Sequence, residues 1–327
     1  MVRPFRFGLQ APRTTDPGAW LDLARRVERD GYSVLLAPDH VGRLSPIPAL
    51  MAAAAVTERL NLGTWVLNQD FRPPAVLAQE AAAVQILTNG RLELGVGAGW
   101  AKQEYLQTGI QFDEGKVRVG RFDEYLQVVK GLLAAREPYS FAGQWFTLDA
   151  YPPLPHLEHQ PPPRIAVGGG SRQVLSVAGR LADSISVATR ATPDGLFDVS
   201  NMKVASVENK LRWIREAAGD RYDQIELNMT LRFVRIAEDR QAAAHEILAA
   251  WRGPGSRVGR ADELEADDIL ESPYFALGTV EQIVEQLLTA RERWGFSYIQ
   301  VGGEDIDAFA PVMEKLVART NGVGAGR

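Results

Sequence analysis

The sequence predicts an α/β fold, a single (β/α)8 barrel of the TIM type, from the spacing of its apolar runs. Strand-like runs begin near Phe5, Ser33, Leu62 and Leu92, at intervals of 28, 29 and 30 residues. Patterns of helical period lie between them. Four further runs bring the count of strands to eight: Arg164–Val167, Ser184–Ala188, Glu226–Phe233 and Ser297–Val301. Alternating strands and helices build a parallel sheet, and eight such units favour the closed barrel over an open doubly wound sheet.

Residues typical of helix ends occur at the boundaries of the predicted helices. Asp16-Pro17 is a good N-cap and first helical residue, and Gly31 suits the end of the same helix. The third helix is predicted from about Pro74 to Leu87. Near the end of the chain, Thr279 and Gln282 have the spacing of a capping box for a helix that ends at Gly295.

Two intervals are too long for simple connections between a strand and a helix. They predict insertions after strands four and seven, at about 103–163 and 236–277. Insertions of this size usually form lids or pocket walls at the carboxyl ends of barrel strands, and a linker between domains is the alternative. The barrel domain is therefore expected over 1–319, with a flexible glycine-rich tail at 320–327.

Composition narrows the class of function. The net charge of −5 argues against a nucleic-acid surface. The chain has no cysteine, which excludes disulfides, thiolate metal sites and a cysteine nucleophile. His156 and His159 alone are a weak signal for a metal, so none is predicted. No signal peptide or membrane-spanning run is visible, and a cytoplasmic location without membrane partners is expected.

The second helix, predicted within Ile47–Val56, lacks the polar face that an outer barrel helix should show. Burial against a partner subunit would explain an apolar surface on all sides. Burial beneath an insertion is the alternative. The sequence alone leaves both open.

Polar residues at predicted strand ends mark the candidate site, because catalytic groups of barrels gather there. His40 is the only one of the four histidines at such an end, directly after Asp39. Imidazole titrates near neutral pH, so His40 could move a proton. A purely structural histidine is the alternative.

Two glycine-rich segments also follow predicted strands. Gly95, Gly97 and Gly99 alternate along one strand, which would let a ligand approach the main chain closely. The segment is not a dinucleotide fingerprint, since Trp100 stands where the last glycine belongs. Gly168-Gly169-Gly170-Ser171 precedes a helical pattern, so it predicts either a phosphate cradle or a plain tight turn.

Taken together, these motifs resemble the luciferase-like monooxygenase superfamily, barrels that use FMN or the deazaflavin coenzyme F420. The resemblance covers nearly the whole chain, and the Gly-Ala-Gly-Trp form is most similar to the deazaflavin-dependent branch. The segments that carry it are Ala37–His40, Leu62–Val66, Phe71–Ala75, Asn89–Arg91, Gly95–Trp100 with Glu104-Tyr105, and Ile165–Gly170.

The resemblance implies roles for these positions. It places the catalytic pair beside the reactive ring, with His40 moving a proton and Asp39 orienting the imidazole. It implies a chain bulge beneath the ring, often with a non-prolyl cis peptide. It also implies a homodimer through the second and third barrel helices. The residues expected to bind the cofactor are Asp39, His40, Trp65, Val66, Asn68, Gly97, Gly99, Trp100, Gln103, Glu104, Gly168, Gly169, Gly170 and Ser171.

The activity implied is hydride transfer between coenzyme F420 and a small organic substrate. An FMN-dependent monooxygenase, or a cofactor-binding protein without turnover, is the alternative. Sugar-phosphate dehydrogenases of this superfamily carry a glutamate proton donor where this chain has Trp100. An indole cannot replace a carboxylic acid as a donor, so a substrate other than glucose 6-phosphate is expected.

Overall fold

Eight parallel strands close into a barrel in the computed structural model, which describes residues 3–156, 161–190, 196–256 and 258–322, with side chains to 320. Each strand pairs with the next along the chain, and the last pairs with the first. The predicted fold is thereby confirmed. The strands are β1 Arg6–Gln10, β2 Val34–Ala37, β3 Asn61–Thr64, β4 Leu92–Gly97, β5 Arg164–Gly169, β6 Ser184–Val187, β7 Glu226–Thr230 and β8 Phe296–Gly302.

Eight helices follow the strands. They are α1 Pro17–Arg29, α2 Pro46–Ala54, α3 Pro74–Leu87, α4 Gly115–Ala134, α5 Arg172–Leu181, α6 Val204–Ala218, α7 Val280–Trp294 and α8 Ile306–Gly322. The predicted caps are confirmed. The Asp16 side chain accepts a hydrogen bond from the amide of Ala19. The capping box of Thr279 and Gln282 starts α7, and Gly295 ends it with a φ of +80°.

A paired cluster of charges fills the amino-terminal end of the barrel interior. Arg6 forms ion pairs with Glu93 and with Glu226, the latter at 3.0 Å, and Arg164 reaches the same Glu226 oxygen at 3.0 Å. Arg6, Glu226 and Arg164 are the first residues of β1, β7 and β5, and Glu93 is the second residue of β4. The ion pairs between them occupy this end of the barrel, whereas catalytic sites of such barrels lie at the carboxyl ends of the strands.

The long strand predicted over Glu226–Phe233 is wrong in its second half. β7 ends at Thr230, and Phe233–Ile236 pairs instead with Phe275–Gly278 in a separate parallel sheet. The main chain turns away from the barrel at Arg232, whose amide donates to the carbonyl of Tyr274 at 2.7 Å. The second insertion therefore begins three residues earlier than predicted and also contains helices Arg240–Arg252 and Ala266–Glu271.

The predicted insertion at 103–163 contains more of the barrel than expected. Its long helix is α4, which packs between α3 and α5 on the outside of the barrel. What remains is the short helix Lys102–Thr108 and the antiparallel hairpin Tyr139–Ala142 with Thr147–Tyr151. His159 and residues 323–327 of the predicted tail lie outside the described residues. Within the described part, no helix is long and apolar enough to cross a membrane.

Candidate active site

The chain bulges inward after β3, as the resemblance implied. The Trp65–Val66 peptide bond is cis, and Leu67–Asn68 then pairs with the end of β4. The Thr64 hydroxyl bridges the two strands, since it accepts from the Gly95 amide at 2.9 Å and donates to the Gly95 carbonyl at 2.8 Å. This bulge brings Trp65 and Val66 to the barrel mouth.

The alternating glycines at the end of β4 are closely packed against neighbouring residues. A Cβ on Gly95 would lie 2.0 Å from the carbonyl oxygen of Thr64, and one on Gly97 would lie 2.6 Å from Val66. Gly99 has a φ of +72°, and its Cβ would collide with the hydroxyl of Tyr105. Glycine is therefore required here by the packing of the bulge and of the short helix. The predicted cofactor contacts of Gly97 and Gly99 stay a prediction.

His40 has a carboxylate partner, but it is not Asp39. The His40 Nδ1 lies 2.7 Å from Oε1 of Glu104, on the helix Lys102–Thr108. The Asp39 carboxylate instead accepts from the Asn68 amide and from Arg72, both at 3.1 Å. The prediction that Asp39 orients the imidazole is thus wrong, because neighbouring residues of an extended chain point in opposite directions.

Asp39 anchors the bulge rather than the imidazole. It joins the end of β2 to Asn68, which in turn accepts from the amide of Asp70 and lies 3.1 Å from the hydroxyl of Tyr105. Burial and the neighbouring Asp70 raise the pKa of Tyr105, so this hydroxyl stays protonated and available as a donor. Through these hydrogen bonds, Asp39 and Asn68 hold the bulge in position beneath the mouth of the barrel.

Trp100 forms a wall of the mouth next to the imidazole. Its ring meets the His40 ring edge-on, with centroids 6.3 Å apart, and lies 5.5 Å from the ring of Phe197. It is 44% exposed, which leaves a large apolar face open to a ligand. Gln103 is adjacent to Glu104 on the short helix and points to solvent.

The Gly168–Ser171 turn runs from β5 into α5. Ser171 is the N-cap of α5, and its hydroxyl accepts from the Val174 amide at 3.3 Å. A Cβ on Gly168 would meet nothing closer than 3.8 Å, whereas Gly169 and Gly170 are tightly packed against Val174 and the chain at Ala188. The first turn of α5 has no acidic residue, so its free amides favour an anion.

Further polar side chains line the opposite side of the mouth: Gln10, which the sequence places at a strand end, and Thr230 and Gln300, which sequence reasoning missed. Gln10 donates to Thr230 at 3.0 Å and to Gln300 at 3.1 Å, and the Thr230 hydroxyl donates to the same Gln300 oxygen at 2.9 Å. Gln300 is fully buried, and its side chain also contacts the buried hydroxyl of Tyr298 below it. These side chains form a polar layer across the barrel interior beneath the mouth.

These features fit a flat polar cofactor with a phosphate. Gly168 leaves room at the strand ends, and the start of α5 suits an anion. A metal has no comparable support, because the described residues include no group of three or more histidine and carboxylate side chains placed to hold one.

Comparison with known proteins identifies the class. The model of the luciferase-like monooxygenase family matches residues 1–298, and the chain belongs to that family. It is accordingly an oxidoreductase with a luciferase-like barrel.

Individual relatives point to two cofactors. An F420-dependent glucose-6-phosphate dehydrogenase from Nakamurella multipartita is 29% identical over 277 residues, 80% of this chain and 78% of the relative. An FMNH2-dependent dimethylsulfone monooxygenase from Pseudomonas putida is 30% identical over 132 residues, 40% of this chain and 36% of the relative. An F420-dependent secondary alcohol dehydrogenase, solved with an F420-acetone adduct, shares the fold with a TM-score of 0.68. It is 20% identical and covers 96% of this chain and 99% of its own.

Proposed function

We propose that this protein is a coenzyme F420-dependent oxidoreductase that transfers hydride between the deazaflavin and a small organic substrate. The observation that carries the proposal is the His40–Glu104 pair, at 2.7 Å, beside the open face of Trp100. The relatives named for F420 include one that is aligned over 80% of this chain. FMN is the second candidate, supported by the similarity to the dimethylsulfone monooxygenase over a shorter segment.

The chain's own residues account for the proton that accompanies hydride transfer. When the Glu104 carboxylate accepts from Nδ1–H of a neutral His40, the Nε2 lone pair is free for a substrate proton. The imidazole would take up the hydroxyl proton of an alcohol during oxidation, or deliver it to a carbonyl during reduction. His40 is one-third exposed, so its ring can both contact a ligand and exchange the proton with solvent.

The deazaflavin, when bound, would supply the carbon that accepts or donates the hydride. Trp65 and Val66 of the bulge and the free face at Gly168 would hold its ring. The amides at the start of α5, next to Ser171, would hold its phosphate. Glu104 would fix the tautomer and direction of His40, and Asp39 would hold the bulge.

Cofactor titration tests this proposal. Purified protein is titrated with F420 and, separately, with FMN, and the quenching of tryptophan fluorescence is measured. We expect F420 to bind at least tenfold more tightly and to be reduced or oxidised in the presence of an alcohol or carbonyl panel. Tighter binding of FMN with oxygen uptake in its reduced form would instead establish the monooxygenase. F420 binding without turnover on any substrate would favour a binding protein.

We also propose a homodimer through α2 and α3. In the single chain, Ala52 of α2 and the C-cap residue Ala55 that follows it are exposed, and Leu87 of α3 is 72% exposed. An apolar helix face of this kind is typical of a subunit interface. Light scattering should give twice the chain mass, and Ala52→Asp should yield monomer. Ala249→Asp, at an exposed alanine of the helix Arg240–Arg252, is the matched control and should leave the dimer intact.

A further inference from the structure

A cation without a counter-ion lies at the substrate side of the mouth. Arg232 lies two residues after the end of β7 at Thr230, where the main chain leaves the barrel. Its guanidinium lies over the Phe197 ring, 4.8 Å from the centroid, and donates to the Thr189 hydroxyl at 3.3 Å. Among the described residues, no carboxylate lies within ion-pair distance of it.

The acidic residue next to Phe197 already has other partners. Asp198, next to Phe197, lies 3.6 Å from Arg190 and 3.9 Å from Arg260. It also accepts from Ser200 and Asn201, at 2.6 and 2.9 Å. Its charge is therefore shared by other partners, and none of these contacts neutralises Arg232.

An uncompensated cation in a half-buried position is costly. Burial lowers the pKa of the Arg232 guanidinium, yet arginine stays charged at every working pH. Removing such a charge usually stabilises a protein, because desolvation is not offset by a partner. A residue of this kind is better explained by a ligand than by the fold.

The surroundings of Arg232 connect it to the reaction. A continuous row of rings leads from His40 through Trp100 to Phe197, with centroid separations of 6.3 and 5.5 Å, and Arg232 covers the far end. A ligand that lies along Trp100 would have its reacting carbon near His40. Its other end would reach the guanidinium.

We propose that Arg232 is the specificity-determining residue for a substrate that carries an anionic group, a carboxylate or a phosphate, at the end remote from the reacting carbon. The guanidinium fork suits either anion through paired hydrogen bonds. Phe197 and Thr189 hold the fork in place. The proposal rests on the proposed function for the identity of the reacting carbon, but the anion site itself does not depend on the cofactor.

Anion binding tests the proposal without knowledge of the substrate. Inorganic phosphate and acetate are titrated at constant ionic strength while tryptophan fluorescence, to which Trp100 beside Phe197 contributes, is recorded. Arg232→Gln should weaken binding by about 10- to 100-fold, the worth of hydrogen bonds to a charged group. The anion affinity of Arg232→Lys should lie between those of the wild type and Arg232→Gln, because lysine keeps the positive charge but cannot donate two parallel hydrogen bonds. The stronger of the two probes in the wild type identifies the class of anion.

Two controls distinguish a substrate-anion site from a surface charge effect and from a cofactor contact. Arg235, which is paired with Glu246 on the surface, provides the matched variant Arg235→Gln, and this variant should bind phosphate as the wild type does. Phosphate binding should persist in saturating F420, which blocks the turn at Ser171. Loss of phosphate binding in F420, or weaker F420 binding in Arg232→Gln, would overturn the proposal by assigning Arg232 to the cofactor. Unchanged anion binding in Arg232→Gln would overturn it outright.

Stability gives an independent readout. Arg232→Gln should keep or raise the melting temperature, since it removes an unpaired charge. A melting temperature well below that of Arg235→Gln would show a structural role and contradict the proposal. If F420 does not bind but Arg232-dependent anion binding remains, the proposed cofactor is wrong and the anion site stands.

Discussion

The two sides of the barrel mouth use their polar groups in opposite ways. On the side of β2 to β4, His40 is paired with Glu104 and Asp39 with Arg72. On the side of β7 and β8, Arg232 donates to the Thr189 hydroxyl at 3.3 Å, but no described carboxylate lies within ion-pair distance of it. Paired groups fix geometry, whereas unpaired buried donors require a ligand. The first side is therefore suited to position the chemistry, and the second to select the substrate.

Removal of His40 should have the largest effect on turnover. His40→Asn keeps a polar side chain but cannot act as an acid or base near neutral pH. We expect turnover to fall by about 10²- to 10⁴-fold, with F420 affinity within a few-fold of the wild type. Steady-state kinetics and fluorescence titration measure the two quantities. Turnover near the wild-type rate would mean that the proton comes from solvent or substrate. It would then contradict the claim that the side of β2 to β4 positions the chemistry.

The tight packing of the first side predicts a large stability difference between two glycines. Gly95→Ala places a methyl group 2.0 Å from the Thr64 carbonyl and should lower the free energy of unfolding by about 3 kcal/mol or more. Gly168→Ala, whose Cβ meets only ordinary contacts, should change it by less than about 1 kcal/mol. Urea unfolding of both variants provides the comparison. Equal losses would mean that the two glycines are under the same constraint.

Glu104 and Asp39 have different hydrogen-bond partners, so substitutions of the two residues should have different effects. Glu104→Gln removes the charge beside His40 and should reduce turnover by about tenfold or more, less than His40→Asn. In the double variant the losses should not add, because both residues act through one hydrogen bond. Asp39→Asn should mainly lower stability, as it weakens the contacts to Asn68 and Arg72. A larger loss of turnover in Asp39→Asn than in Glu104→Gln would show that Asp39 does orient the imidazole.

A smaller, pH-dependent effect is expected at Lys210, beneath the second side. Lys210 is buried and donates to the carbonyls of Ala188 and Asn201, and burial lowers its pKa to about 7 from 10.5. Between these two values the unfolded chain binds more protons, so the stability contributed at this site rises with pH across that window. Wild type should gain stability relative to Lys210→Met as pH increases from 7 to 10. Parallel stability curves would contradict the lowered pKa.

The barrel was predictable because its signals are local. Apolar period, capping residues and the glycines that end strands each depend on a few neighbouring positions, and Pro74–Leu87 was predicted to the residue. The partner of His40 was not, since Glu104 is 64 residues away and sequence adjacency favoured Asp39. The glycines of β4 were recognised as exceptional, but their cause lies in a bulge on another strand.

Arg232 was missed for a specific reason. The apolar run after Glu226 predicted a strand through Phe233, which placed Arg232 inside the strand rather than at its end. The barrel strand ends at Thr230, and only the fold shows that Arg232 lies over Phe197 at the mouth. A charged residue near the end of a run that has no other charge after Glu226 was the signal available in the sequence.

The pH dependence of kcat/KM in wild type and His40→Asn tests the central claim most directly. With F420 as cofactor and the best alcohol or carbonyl of the panel, the wild type should show one limb due to a single ionising group. That limb should vanish in His40→Asn and persist in Arg232→Gln, because only His40 is assigned to proton transfer. Persistence of the same limb in His40→Asn would contradict the assignment of the proton to His40.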